Sequence, residues 1–465
     1  MKSSKVMAAL VTLGLAAAVA TPAMALENQF SGAFTSFYDL SNYSAIGNGA
    51  SGGANITGLS KDAKTENYFV QRVRLGYTAK ASEDVKLVTK FELDYNYWGN
   101  NSYSVARGGG GALGADSVNL ETKNLYLDLN LPKNVNAKIG MQGYNDSFKG
   151  IIFDADMAGI LLSHEYSKAS ISAGFFRFND PNTKTIGKYT QDMFALDGKY
   201  SVSKEVKVGA AYYYISDNRD NGSTTTITPS AGAIGQAADG TPIYATTTTF
   251  TTTTAQKPNN DTKIHTLGLN AEAAVGPLTL NGFALTQFGD VGTVNSTVKA
   301  KGYALNVGAK MPLAGGTARS EFLYVAGGKN SLSVVADEGG AFYDSEMIIL
   351  SRDKNATTID TAIVFDVNNA NQGVIMGSLG YDYTFTPKMS GSANAGFAAV
   401  AKDVAPKGVH KSNYLGTEIN CEANYKLMPS VTVGARAGYV FLGDYFKGND
   451  FDNPYDLKLI AKFSF

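Results

Sequence analysis

The segment from Val85 to Tyr97 reads VKLVTKFELDYNY and alternates between two kinds of side chain. Successive residues of a β-strand point to opposite faces of the sheet, so this pattern predicts a strand with one apolar and one charged face. The segment is more than twice as long as the strand of about five or six residues that is typical of soluble sheets. Its length matches that of a tilted strand crossing a bilayer. The apolar face carries Val85, Leu87, Thr89, Phe91, Leu93, Tyr95 and Tyr97, and the polar face Lys86, Val88, Lys90, Glu92, Asp94 and Asn96.

The same alternation recurs along the whole chain, most clearly at 124–131, 414–427 and 455–465. Some segments alternate less clearly, namely 136–143, 158–178 and 278–288, so a count of 16 strands stays open beside the preferred count of 18. The eighteen predicted strands are 29–38, 68–80, 85–97, 119–131, 136–143, 158–166, 169–178, 192–202, 206–215, 263–275, 278–288, 302–311, 317–326, 373–385, 389–401, 414–427, 431–441 and 455–465.

The connections between these segments alternate in length. Tight turns such as 82–84 and 276–277 alternate with long polar stretches such as 45–64 and 223–254. Short periplasmic turns and long extracellular loops are typical of outer-membrane barrels, and a closed barrel leaves no strand edge facing lipid. The fold class is therefore predicted to be all-β, a transmembrane antiparallel β-barrel of about 18 strands.

The N-terminus has the pattern of a secretory signal peptide. Lys2 and Lys5 precede an apolar run from Val6 to Ala20, and Ala23 and Ala25 form a small-x-small cleavage site. The apolar run is shorter than the roughly 20 residues that a membrane-spanning helix needs. We expect residues 1–25 to be removed and residues 26–465 to form the barrel as one domain.

Composition excludes several classes of function. Cys421 is the single cysteine, so the chain has no internal disulfide, no thiolate metal cage and no haem-attachment motif. The formal net charge of −1 provides no basic patch for nucleic acid. The three histidines are scattered, and no Gly-x-Ser-x-Gly pattern surrounds His265 or His410, which argues against a hydrolase. Ser163 and His164 are neighbours and point to opposite faces of a strand. No enzymatic activity, cofactor or resident metal is expected, although acidic loops at Asp450 and Asp452 leave Ca²⁺ binding open.

The amphipathic strands over the whole length, the aromatic strand ends and the last residue, Phe465, together resemble the Gram-negative outer-membrane porins. The resemblance implies a water-filled channel for passive diffusion of small hydrophilic solutes or ions, surrounded by outer-membrane lipid and assembled as a homotrimer. It also implies that the last strand, with Tyr455, Phe463 and Phe465, is the signal read by the barrel-assembly machinery. Aromatic strand ends, including Tyr95 and Tyr97, are expected at the membrane interface.

The polar face of the strands is expected to line the pore, where charged side chains set ion selectivity. Arg72 and Arg74 are the best candidates for a basic ladder, because residues at i and i+2 of a strand point the same way. The predicted pore-lining residues are Arg72, Arg74, Lys86, Lys90, Glu92, Asp94, Asp128, Arg319, Glu321, Glu418, Glu422 and Arg436.

In porins, the loop after the fifth strand folds into the lumen and opposes acids to basic residues on the wall. By its order in the chain, the matching segment is 143–156, with Asp146, Lys149, Asp154 and Asp156 as constriction residues. The glycine-rich stretch 108–111 is the alternative constriction, and no PEFGG-like tip is present.

Two other functions fit the same barrel. It could be the sheath of a porin-cytochrome electron-transfer complex, with haems on another chain, or a structural or adhesive surface barrel. The threonine-rich stretch 223–254 would be the working part of an adhesive barrel.

Overall fold

The computed structural model describes residues 26–43, 58–100, 111–113, 120–180, 186–219, 223–236, 242–254, 261–292, 297–333, 342–354 and 362–465; for 223–236 and 242–254 only the backbone is described. The described strands are β1 (Glu27–Ser41), β2 (Glu66–Ser82), β3 (Val85–Tyr97), β4 (Glu121–Leu131), β5 (Val135–Asn145), β6 (Asp154–Glu165), β7 (Ala169–Asn179), β8 (Gln191–Ser201), β9 (Val206–Asp217), β10 (Ser223–Gln236), β11 (Pro242–Thr254), β12 (Thr262–Val275), β13 (Leu278–Gly292), β14 (Thr297–Ala300), β15 (Tyr303–Leu313), β16 (Gly316–Val325), β17 (Val374–Thr386), β18 (Met389–Ala399), β19 (Tyr414–Met428), β20 (Val431–Leu442) and β21 (Tyr455–Ser464).

Eighteen of these strands form one closed antiparallel barrel, which confirms the preferred strand count. Each pairs with its neighbour in the chain, and the barrel closes where β1 pairs with β21 from Ala33 opposite Ser464 to Ser41 opposite Asp456. The short β14 only extends the pairing of β13, and β10 pairs with β11 in a separate two-stranded sheet. All eighteen predicted segments, including the three weakly alternating ones, coincide with barrel strands.

The exterior of the barrel is apolar and the interior polar, as the alternation predicted. On β19, Ile419 is 48% exposed on the outside, whereas its neighbours Glu418 and Asn420 are buried inside. Leu125 and Leu127 are likewise exposed on the outer face of β4. Such a continuous apolar exterior around a closed barrel requires a lipid surrounding.

The expectation that Tyr95 belongs to the interfacial aromatics is wrong. The pairing of β2 with β3 shifts register between Gln71 and Val73, and Tyr95 itself has φ +29°. This β-bulge inserts an extra residue, so the alternation inverts after Asp94. Tyr95 therefore points inward and is buried beside Phe37. Tyr97, opposite the buried Val70, packs against the same inner cluster, so the expectation is wrong for it as well.

Candidate functional site

Among the described residues, the segments 142–157 and 342–354 leave the barrel wall and enter its interior. The first is the tip of the β5–β6 hairpin, residues 142–157, which we call the inner tongue. Pairing of β4 with β5 ends at Leu125 opposite Met141, and pairing of β6 with β7 begins at Ala158 opposite Arg177. Between those points β5 and β6 pair only with each other, up to Asn145 opposite Asp154. The hairpin tip is thus free of the wall on both sides and bends inward.

Apolar burial fixes the tongue against the wall at β12 and β13. Phe148, Ile151, Ile152 and Phe153 are each at most 2% exposed, although they lie in a loop. The ring of Phe148 packs 5.6 Å from that of Phe283 on β13. A glycine, Gly268 on β12, makes this approach possible, because a Cβ there would come within 2.4 Å of the Phe148 ring. The wall is therefore shaped to receive the tongue.

Asp146 holds the tongue in its conformation. Its carboxylate accepts backbone N–H bonds from Phe148 (2.6 Å), Gly150 (3.0 Å), Ile152 (2.6 Å) and Phe153 (2.8 Å). Burial raises the pKa of Asp146 to about 6, and the four backbone N–H groups oppose this rise. Asp146 is therefore an internal brace of the tongue, and its carboxylate is withdrawn from the lumen.

The second segment, residues 342–354, lies within the β16–β17 connection, and we call it the inner strap. Glu418 on β19 accepts backbone N–H bonds from Ile348 (2.7 Å), Ile349 (3.0 Å) and Leu350 (2.7 Å). The side chains of these three strap residues are at most 3% exposed. A single wall carboxylate thus satisfies three consecutive donors that would otherwise be buried without partners.

Ion pairs tie both ends of the strap to the wall. Arg436 on β20 lies 2.7 Å from Asp353, with both side chains 2% exposed, and Arg319 on β16 lies 2.6 Å from Glu346. Breaking a buried pair leaves an uncompensated charge, which costs about 3–5 kcal/mol. These contacts make the strap a fixed part of the interior.

Glu321 on β16 connects the two segments. It accepts hydrogen bonds from Lys149 of the tongue and from the Tyr343 hydroxyl of the strap. Asn306 on β15 donates a further bond to the same carboxylate at 3.0 Å. Burial and the neighbouring Glu321 carboxylate raise the pKa of the Tyr343 hydroxyl well above its usual value, so Tyr343 remains a hydrogen-bond donor.

A cluster of charges lies on the wall formed by β2, β3 and β4. Glu92 accepts hydrogen bonds from both Arg72 and Arg74, and Lys123 lies 3.4 Å from it. Arg72 also lies 3.0 Å from Asp94 and is mostly buried, whereas the Arg74 side chain is 38% exposed. The two arginines point the same way, as expected, but they share one carboxylate, so only Arg74 is well placed to meet a solute.

Lys123 connects this wall cluster to the tongue. Its ammonium lies 3.0 Å from Asp156, and Asn124 donates a hydrogen bond to Asp156 at 2.8 Å. The register of β3 with β4 shifts by one residue between Lys90 and Phe91, which makes Lys123 an extra residue of the strand. The bulge lets Lys123 face inward, so strict alternation did not identify it.

Arg352 of the strap is held by two aromatic rings. Its guanidinium carbon lies 4.1 Å from the Phe342 ring centre and 4.9 Å from that of Phe365, and its Nε donates to Asp344 at 3.2 Å. The side chain remains 25% exposed. Stacking on aromatic faces orients a guanidinium while leaving its edge available. The sequence patterns did not identify the strap residues, because they lie in a long irregular connection.

The remaining predicted residues occupy three kinds of position. Lys86, Lys90 and Asp128 are half-buried on the inner face below the charge cluster. Glu418 and Arg436 point inward but lie beneath the strap, and Glu422 is 3.7 Å from Arg436. Asp154 and Asp156 lie at the start of β6, on the exposed side of the tongue.

The last strand closes the barrel. Phe465 exchanges backbone hydrogen bonds with Gly32, and Phe463 and Phe465 are exposed on the outside with Tyr455 at the other end of β21. Residues 108–110 of the alternative constriction lie outside the described residues.

Within the described residues, three carboxylates lie close enough together to bind a cation: Glu92, Asp94 and Glu121. Arg72 and Lys123 already lie against this group. The cluster is thus a network of ion pairs within the wall.

These features define a porin-type outer-membrane β-barrel: a closed barrel with an apolar exterior, a charged interior and inward-folded segments. Among the residues described, no helix is long and apolar enough to cross a membrane.

The chain is similar in fold to solved proteins of Pseudomonas aeruginosa. OccK3 (OpdO) matches with a TM-score of 0.52 at 12% identity, over 94% of this chain and 96% of that one. The outer membrane protein opdK matches with a TM-score of 0.52 at 11% identity, over 94% and 98%. No family model matches the sequence, and no curated protein is significantly similar to it. The fold is thus that of the 18-stranded outer-membrane porins.

Proposed function

We propose that the chain is a passive diffusion channel of the outer membrane for small hydrophilic solutes or ions, narrowed by the inner tongue and the inner strap. The observation that supports this most is the exposure of charged side chains between these two segments and the wall. Arg74, Lys149 and Arg352 are 38%, 38% and 25% exposed, and among the acids Asp156 and Asp344 are 33% and 43% exposed. Charges left accessible inside a barrel are in contact with water.

The filter acts by size and by charge. The tongue and the strap meet at Gly150, where an added Cβ would lie 3.3 Å from the Phe342 carbonyl oxygen. The tongue also contacts β4, where Lys123 and Asn124 bind Asp156, so the two segments narrow the lumen from several strands of the wall. The accessible charges are of both signs and nearly balanced, which favours weak ion selectivity and no permanent capture of a solute.

The channel works without turnover, cofactor or resident metal. Its delivery by residues 1–25, its assembly through Tyr455, Phe463 and Phe465, and its association as a homotrimer are part of the same proposal. Outer-membrane lipid and the barrel-assembly machinery are its partners.

The sheath hypothesis is less well supported. A haem-bearing partner inserted in the barrel would need the space that the buried side chains of the tongue and the strap occupy. Copurification of a haem protein with the purified barrel would favour this rival.

The decisive experiment measures single-channel conductance in planar bilayers, with the reversal potential under a salt gradient. Stable steps with weak selectivity are expected, and three coupled steps would support a trimer. A barrel that is folded, as judged by its resistance to unfolding by detergent, and yet never conducts would refute the proposal.

A further inference from the structure

The hairpin β10–β11 is separate from the barrel and contains a sequence palindrome. Residues 246–254 of β11 read TTTTFTTTT, which is the same in both directions about Phe250. The partner strand aligns Ile227 with Phe250, and Thr224, Thr225 and Thr226 with Thr253, Thr252 and Thr251. The β10 strand is not palindromic, so the symmetry belongs to β11 alone.

The second edge of β11 is suited to pair with another strand. Every barrel strand has two neighbours, whereas β10 and β11 pair only with each other among the described residues. From Ile243 to Thr254 the strand contains no proline and no charged residue, so it lacks the usual features that prevent edge pairing. β10 carries Pro229, which removes one N–H donor from its own edge. β11 therefore has the better edge.

We propose that β11 pairs edge to edge with β11 of a second copy of the chain, antiparallel and centred on Phe250. In that register Phe250 lies opposite Phe250, and Thr246 opposite Thr254, so the palindrome places identical residue types opposite each other at all nine positions. Antiparallel strands related by a two-fold axis always pair i with j and j with i, which a palindromic sequence satisfies without mismatch. Cross-strand threonine pairs and aromatic pairs are stabilising.

The contact between two β11 strands is free of charge repulsion but small in area. Neither edge carries a charged residue, so two copies meet without like-charge repulsion. Nine paired residues extend about 30 Å and bury far less than the roughly 1,200 Å² of a stable complex. A single pair of strands is therefore weak. Many copies in one membrane can pair at the same time with copies in a facing membrane, and their combined binding is stronger. The inference concerns association between copies and does not depend on conduction.

The register is tested by cysteine crosslinking of the full-length protein in vesicles. Cys421 is exposed on the outside of the barrel and is first replaced by alanine. Opposed Cα atoms of antiparallel strands are about 4.5–5.5 Å apart, within the range that a disulfide spans. Phe250→Cys alone should crosslink to a dimer upon mild oxidation. Thr246→Cys alone should not, but it should crosslink when mixed with Thr254→Cys.

The matched single-cysteine variants distinguish pairing of β11 in the proposed register from crosslinking by random collision. Folding of the barrel in each variant is verified by its resistance to unfolding by detergent. We expect at least a tenfold higher dimer yield for Phe250→Cys than for Thr246→Cys alone, and loss of vesicle clustering for Phe250→Lys without any cysteine. Equal yields for both single variants would overturn the register. Absence of dimer in all of them, or capture of β11 by a different protein, would overturn the second copy as its partner.

Discussion

Replacing Glu418 by glutamine should loosen the inner strap without removing it. The carboxylate accepts the backbone N–H groups of Ile348, Ile349 and Leu350. An amide has only one acceptor oxygen, so at least one N–H loses its partner and the others lose a charged acceptor. One buried unpaired donor costs about 1–3 kcal/mol. Each of the two remaining hydrogen bonds loses roughly 1 kcal/mol when its acceptor is no longer charged, so the total loss is about 3–5 kcal/mol.

Apolar burial opposes this loss. The side chains of Ile348, Ile349 and Leu350 are at most 3% exposed, and burying each contributes about 1.5–3 kcal/mol. The strap should therefore stay docked in most molecules, while its released fraction rises by a factor of roughly 10² to 5 × 10³. In single-channel recordings this change should appear as brief transitions to a larger conductance. Adding Asp353→Asn, which breaks the buried pair with Arg436, should make the larger state dominant.

The matched control is Glu422→Gln, four residues further along the inner face of β19. Glu422 is 3.7 Å from Arg436 and accepts a hydrogen bond from Asn424, and it makes no bond to the three strap N–H groups. The Glu422→Gln substitution should leave the open-channel noise unchanged. If Glu418→Gln were as quiet as this control, the strap would not be held by Glu418 and the reasoning would be refuted.

Three further predictions test other parts of the interior. Because burial raises the pKa of Asp146 to about 6, protonation favours the docked tongue, so docking should strengthen and current noise should fall as the pH drops through 6. Asp146→Asn should abolish this pH dependence and raise the noise at both ends of the range, because one amide oxygen replaces two carboxylate oxygens that accept four backbone N–H bonds. Noise that rises with acid in the unsubstituted protein would contradict the sign. Arg74→Glu with Lys123→Glu should shift the reversal potential toward cations, and an unchanged potential would place both residues outside the conduction path. Phe465→Asp should reduce the amount of folded barrel in the membrane several-fold, as measured by its resistance to detergent; a normal amount would count against the terminal-strand signal.

The strands were predictable because alternation with period two is a local property that a lipid exterior imposes on every strand. Even the weak segments, such as 136–143, are strands, since closure of the barrel leaves no edge unpaired. Tyr95 and Lys123 could not be placed in the same way, because each lies at a bulge where one extra residue inverts the alternation. Whether a bulge forms depends on the neighbouring strand.

The inward segments were only partly predictable. The position of the tongue was inferred from chain order, but the contribution of Phe148 depends on Gly268, which lies far away in sequence. The strap had no signal, because Glu418 reads simply as a polar residue on an inner face. Its contact with three backbone N–H groups depends on how a long connection folds.

The shared carboxylate of Glu321 has a consequence for the kinetics of the channel. It accepts hydrogen bonds from Lys149 of the tongue and Tyr343 of the strap, and so holds the two segments against each other where Gly150 meets Phe342. Release of either segment therefore removes packing contacts from the other. The two movements are then not independent, and an event in one makes an event in the other more frequent. The current should therefore fluctuate between a narrow and a wide level, with intermediate levels visited less often than two independent gates would produce.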